Sequence, residues 1–414
     1  MIRALELFGG TDRKDWLPLG ERLLEHGSSR VQQAAVRAFA LSGVSSVLER
    51  LMEHPNPSLR AFAALYLAQL GGKTLPGDPL SWELFREDDA EHTLKLAFIE
   101  TLAAHPPPDA TRILLGLARL PALIAAVTQS LAAVGDESSI PFLIGRLKFA
   151  EERLSARRGL VRMGAPAFAA LQAALQLETV ERRVRIHIPR SISAFANTEA
   201  VSLLLSIMLG EQDGLIRYKA LRGLGQLASD GPVVIAVPPI LAELKRNALE
   251  YLRLFSARTA IDRANSEPHL SVRLVIELLD DKIQQSFDRL ARLLQIVHRG
   301  DDIRTIFSAL GSADRRQRGQ AIEFLDALIR GVGRAADDVA ELLRLVVDDL
   351  PAAERARRAA ELVGAFNNAD DTLELLAHDP DAILRDLAEH AVRTLERPRA
   401  SESQNLAELV ERPA

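Results

Sequence analysis

The chain contains no cysteine. Disulfides, thiol nucleophiles, iron–sulfur clusters and cysteine-ligated zinc are therefore excluded. Aromatic residues make up only 5% of it and include two Trp and three Tyr, so stacking platforms for bases are few. Val-rich alternating runs of the kind that form half-buried strands are nearly absent. No stretch reaches the roughly 18 apolar residues of a membrane span. The best, 121–134, is interrupted by Thr128, Gln129 and Ser130. The opening MIRALELFGG places Glu6 inside a short apolar stretch and lacks the anatomy of a secretion signal. Neither sign of charge dominates, since 51 basic and 56 acidic residues leave a net −5. A global attraction to nucleic acid is not expected at that balance. The expected setting is cytoplasmic.

What is present is helix-forming residues: Leu, Ala and Arg are plentiful, and 48% of the 414 residues are apolar. That length suits two or three domains, or one extended repeat array. A repeat is visible. In SLRAFAALYLAQLGG, residues 58–72, Leu59, Ala63 and Leu67 fall four apart on one helical face. The same register recurs with Val31, Ala35 and Phe39, 28 residues earlier. Later copies carry Arg153, Ala156 and Leu160; Val184, Ile188 and Ile192; Ile216, Ala220 and Leu224; Arg318, Ala321 and Leu325; and Leu384, Ala388 and Val392. The middle position is usually small, which lets a neighbouring helix pack close. An apolar helix precedes most copies, as at 140–147, 168–175, 200–209 and 303–310, and turns such as HPNPS, GEQDG and HDPDA separate the elements. The unit is helix, turn, helix. One such pair cannot bury its apolar face alone, but a stack can.

These units resemble HEAT repeats of the short bacterial kind. The shared features are the Asp, Asn or Pro turn, the Leu/Val-Arg opening of the second helix, the central Ala and the closing Leu-Gly. The resemblance covers most of residues 20–397. It implies an all-α, right-handed α-solenoid of about 10–12 helix pairs. Residues 1–230 read as an N-terminal HEAT-repeat lobe, 231–300 as long-helix irregular repeats, 301–397 as C-terminal HEAT-like repeats and 398–414 as a loose tail. In the irregular middle, 240–261 and 271–298 read as two helices longer than the repeat norm. They suit either a large repeat that alters the curvature or a docking ridge between lobes. Residues 278–329 are also similar to the soluble HEAT segment of bacterial membrane carriers related to nucleotide translocases, through Phe287, Leu290, Leu294, Ile303, Ile306, Leu310, Ala321, Glu323, Leu325 and Asp326. The transmembrane helices of such carriers are missing here, so transport is not carried over. The chain reads either as a stand-alone relative or as an excised portion.

Charge is unevenly placed. From Arg146 to Arg222 there are 13 basic and 7 acidic residues, a surplus of +6, whereas 331–414 holds 18 acidic and 10 basic residues, or −8. Several central arginines fall on successive second helices, which line the concave face in HEAT-like stacks. Stacking would set Arg153, Arg185 and Arg217 in one row about 10 Å apart, with Arg157, Arg182 and Tyr218 beside them. Guanidiniums in a row suit carboxylates or phosphates. The alternative is that each arginine is a repeat-consensus residue pairing with a neighbouring turn.

Catalytic and metal patterns find little purchase. HEAT-like DNA glycosylases use a basic concave surface with aromatics and a carboxylate, but of the Trp and Tyr residues only Tyr218 falls within the basic stretch. Four Glu-His pairs, at His26, His54, His92 and His390, invert the His-Glu order of HEAT-like di-iron hydroxylases, and no HExxH occurs. Gly223-Leu-Gly225 and Gly331-Val-Gly333 lack the strand that a dinucleotide fingerprint needs. No catalytic residue, metal or cofactor is assigned. The expected activity is that of a non-enzymatic scaffold binding an acidic protein partner, with a membrane carrier or its cytosolic segment as one form of that partner. The alternative is a nucleic-acid-binding protein or glycosylase-type enzyme using the central basic groove.

Overall fold

The computed structural model describes residues 15–75, 82–86, 92–230, 233–264, 269–299, 302–310, 314–331 and 336–395, with Leu5, Gly77 and Ser312 besides. The tail 398–414 and Glu91, the partner of His92 in its Glu-His pair, lie outside them. Every regular element among the described residues is helical, so the fold is all-α. Among these residues no helix is long and apolar enough to cross a membrane. The chain divides into two compact units, Met1–Phe195 and Ala196–Ala414.

The first unit contains α1 (Leu17–Leu24), α2 (Ser29–Leu41), α3 (Ser45–Leu51), α4 (Pro57–Gly71), α5 (Glu83–Arg86), α6 (His92–Ala104), α7 (Ala110–Leu117), α8 (Ile124–Val134), α9 (Ile140–Arg146), α10 (Arg153–Met163), α11 (Ala165–Gln176), α12 (Arg182–Arg185) and α13 (Ile188–Ser193). Alternate helices form a continuous series: α2, α4, α6, α8, α10 and α13 each pack on the next. The intervening α1, α3, α7, α9 and α11 pack on members of that series. Turn chemistry sets the starts. Asn56 accepts the Ser58 N–H at 2.9 Å, and Pro57 supplies a first residue that needs no N–H partner. Asp136 caps its turn on the Ser138 N–H in the same way. Gly72 and Gly135 stop α4 and α8 in the left-handed conformation, at φ +59 and +76.

The sequence register coincides with burial. Ala35, Ala63, Ala156, Ile188, Ala220, Ala321 and Ala388 are all buried, and all but Ala321 are fully so. One copy departs from a single helix. RRVRIHIPRSIS is split into α12 and α13, because Pro189 opens the second piece and has no N–H to continue the first. Val184, Ile188 and Ile192 nevertheless all reach the core.

The second unit contains α14 (Thr198–Gly210), α15 (Gly214–Asp230), α16 (Val237–Ala264), α17 (Leu270–Val297), α18 (Ile303–Leu310), α19 (Arg315–Gly331), α20 (Asp337–Val347), α21 (Ala352–Val363), α22 (Ala369–Leu376) and α23 (382–395). The two long helices anticipated at 240–261 and 271–298 appear as α16 and α17, each of 28 residues. This unit is built around α16, which packs against α17, α20, α21 and α22. Leu254, Ala257 and Ile261 of α16 share a core with Val272, Val275 and Leu279 of α17, Leu373 and Leu376 of α22, and Leu384, Ala388 and Ala391 of α23. Ion pairs link distant segments across it: Arg253 to Asp379 at 2.7 Å and Lys282 to Asp381 at 2.6 Å.

Candidate functional site

The arginines of the repeat register have a shared structural task. Arg60 donates to the His54 carbonyl at 2.6 Å, Arg153 to Leu147 at 2.7 Å, Arg217 to Glu211 at 3.0 Å, Arg318 to Ser312 at 2.7 Å and Arg385 to Asp379 at 3.3 Å. In every case the acceptor lies six residues back, in the turn before the helix. The guanidinium thus satisfies a turn carbonyl that helix geometry cannot reach. Of the anticipated row, Arg153 and Arg217 are clamps of this kind. Arg185 is not: its Nε is buried without a hydrogen-bond partner, in the copy split at Pro189. Arg153 and Arg185 belong to the first unit and Arg217 to the second.

In the first unit, basic side chains gather where α10 meets α13. Arg157, one turn beyond Arg153, reaches across to the Ser191 hydroxyl at 3.3 Å. Burial lowers the Arg157 guanidinium to about 10, and Arg190 and then Arg153 add to the effect by like-charge repulsion. Arg158, Arg182, Arg183 and Arg190 are exposed. Acids of this stretch that form ion pairs are engaged elsewhere: Glu152 with Arg146, and Glu181 with Lys148 at 2.5 Å. Among the described residues, Arg157, Arg158, Arg183 and Arg190 have no carboxylate partner. Arg146 is further held over the Phe149 ring at 3.9 Å. Farther along the same helix series, α2, α4 and α6 line a groove of about 450 Å³ that includes Arg37, Tyr66, Gln69, Glu100 and Thr101. Leu41 and Leu70 stand half exposed in its walls.

In the second unit, Arg217 and Tyr218 line a larger cavity, of about 850 Å³. Polar stripes of α15, α16 and α17 converge on it. They comprise Arg217 and Tyr218, then Glu243, Arg246, Asn247, Glu250 and Arg253, then Lys282, Gln285, Ser286 and Arg289. The positions recur at three and four residues along α16 and α17, so each stripe is one face of its helix. Arg289 was missed by reading the basic stretch alone, because it lies on a different helix 67 residues outside that stretch.

His26 and His54 occupy turns. His26 Nδ1 accepts the Ser28 N–H and His54 Nδ1 accepts the Asn56 N–H, each at 3.0 Å. Equivalent places in consecutive repeats explain their 28-residue separation. Among the described residues, no three His, Asp or Glu side chains are placed to share a metal ion.

No known family model matches this chain, and no curated protein matches it.

Proposed function

We propose that the protein is a non-enzymatic interaction scaffold, a HEAT-like right-handed solenoid in at least its first unit, that receives an acidic protein segment on a basic face. One observation carries this reading: guanidiniums of Arg157 and Arg190 lie together where α10 meets α13 while nearby glutamates are paired to other cations. Guanidiniums crowded by their own kind are relieved by an incoming anion, and planar forks suit the carboxylates of Asp and Glu. The helix series α2, α4, α6, α8, α10 and α13 supplies an extended surface of the sort that repeat stacks use for partners. The membrane-carrier likeness of 278–329 adds the cytosolic segment of such a carrier as one form of the partner.

The test uses an Arg157→Gln/Arg190→Gln variant, since Arg153 also clamps a turn and its removal would confuse folding with binding. Binding of a fluorescent polyglutamate peptide to the full chain is measured at low and physiological salt. The variant is expected to weaken it by about tenfold and to flatten the salt dependence. Unchanged affinity with an unchanged salt slope would refute the basic face. Binding of duplex DNA in preference to the peptide, lost in the variant, would keep the face and replace the partner.

A further inference from the structure

The cavity of the second unit is unevenly neutralised. Arg246 forks onto Glu243 at 2.5 and 2.9 Å, and Arg253 forks onto Glu250 at 2.9 and 3.0 Å while also reaching Asp379 at 2.7 Å. Lys282 is paired with Asp381 at 2.6 Å. All four carboxylates that line the cavity are thereby committed. Arg217 and Arg289 remain. Arg217 gives one nitrogen to the Glu211 carbonyl, and Arg289 has no hydrogen bond or ion pair among the described residues. Burial depresses the Arg289 guanidinium and the neighbouring Arg217 charge depresses it further, while the charges of Glu243 and Glu250 oppose this without bonding to it. One turn before Arg289, on the same face of α17, Ser286 lines the cavity. It is 1% exposed, so its side chain faces the cavity from a buried position.

We propose that this cavity binds a small phosphate monoester, its phosphate held between Arg217 and Arg289 and its hydroxyl-bearing body by Ser286 and Gln285. Five cations against four carboxylates leave the cavity lining at a net +1, concentrated on Arg217 and Arg289, the two guanidiniums without a carboxylate partner, so an anion is favoured between them. Three terminal oxygens can accept from two forks at once. The volume of about 850 Å³ falls in the range of small-molecule sites, roughly 300–1,000 Å³, and exceeds what a bare phosphate fills. The remaining space is bounded by Tyr218, Leu221, Leu249 and Leu254, with polar groups from Asn247, Gln285 and Ser286 between them. That mixture fits a polyol body better than a flat apolar one. The ring of Tyr218 is itself braced by Arg292, whose guanidinium stands 5.6 Å from the ring centre.

The experiment is calorimetric titration of the full chain with inorganic phosphate, glucose 6-phosphate, glucose and acetate. Glucose 6-phosphate is expected to bind at one site and more tightly than inorganic phosphate. Glucose and acetate are expected to give no saturable heat up to about 10 mM. Arg289→Gln should weaken glucose 6-phosphate by about tenfold or more and Ser286→Ala by several-fold. Arg258→Gln, outside the cavity, should leave it unchanged. Arg289→Lys keeps the charge without the fork and should fall between wild type and Arg289→Gln. It also serves as the reading should Arg289→Gln lose its helical circular dichroism. Absence of binding by both phosphates, acetate binding as tightly as phosphate, or undiminished binding in the Arg289 variants would overturn the assignment.

Discussion

Gly159 sits in α10 where that helix crosses α8, and a side chain there has nowhere to go. A Cβ added to it would stand 2.6 Å from Ala132 Cβ, 2.7 Å from Ala132 Cα and 3.2 Å from Leu143 Cδ1. The second of these neighbours is backbone and cannot rotate aside. Restoring ordinary carbon separations of about 3.5–4.0 Å requires α8 and α10 to part by about 1 Å along this contact. Overpacking of that kind costs about 1–3 kcal/mol, and the helix propensity of Ala returns about 1 kcal/mol of it. Because the clash with Ala132 Cα is with backbone, the cost falls at about 2–3 kcal/mol of that range, and Gly159→Ala is expected to lose about 1–2 kcal/mol net, or about 2–8 °C in Tm for a unit of this size. Trp16 and Trp82 both lie in the first unit, so tryptophan fluorescence follows its melting without interference from the second. Gly116, in α7 of the same unit, has nothing within 4 Å of its added Cβ. Gly116→Ala should hold Tm or raise it slightly. A Gly159→Ala protein that melts at or above wild type would refute the close crossing of α8 and α10.

Three further outcomes follow from contacts already described. Arg60→Met keeps the apolar stem but removes bonds to the His54 and Pro55 carbonyls and the pair with Glu83. It should destabilise the first unit by about 1–2 kcal/mol in urea unfolding, and Arg60→Lys should recover little of this, because an ammonium cannot reproduce the fork. Burial raises the Asp381 carboxyl, but Lys282 and the N–H groups of Leu384 and Ile383 outweigh that and hold it below its usual range. A depressed carboxylate stabilises the fold above its unfolded value, near pH 3.9, and that contribution fades as pH falls through the folded value. Asp381→Asn should thus cost about 1 kcal/mol at pH 7, discounted for partial exposure, and the gap to wild type should close below about pH 4 in paired unfolding curves. Asn368→Ala removes the cap on the Asp371 N–H, at 2.9 Å, and should lower the stability of the second unit by about 1 kcal/mol in the same assay.

The helices and their buried faces were legible because they follow from spacing. A small residue flanked four positions away by Leu, Val or Phe is a local statement, and burial of Ala35, Ala63, Ala156 and Ala220 follows it directly. Long α16 and α17 were legible for the same reason: their apolar positions keep helical period without an interrupting turn. The break at Pro189 was present in the sequence as a residue that cannot donate, but the repeat pattern runs through it and masks it. The arginines were harder, since one residue type performs two tasks. Arg153 and Arg217 spend part of their donors on turn carbonyls, whereas Arg157 and Arg289 do not. Only the positions of the carboxylates separate these cases. Glu243 and Arg246, or Glu250 and Arg253, are three apart and could have been paired on paper. That Arg289 is then left over depends on α16 and α17 lying side by side, which no local pattern states.

The arginine bonds to carbonyls six residues back have a kinetic consequence. Each closes a loop of a few residues, at small entropic cost and with no need for any distant part of the chain. A turn and the start of its helix can therefore be fastened on the timescale of local loop closure, before neighbouring pairs arrive. In the first unit most packing is between elements close in sequence, so order can begin at several places and spread. In the second unit α16 must wait for α20, α21 and α22, and Arg253 for an Asp379 that lies 126 residues away. The first unit should accordingly be the earlier to form, while α16, exposed along faces that later partners cover, sets the pace of the second.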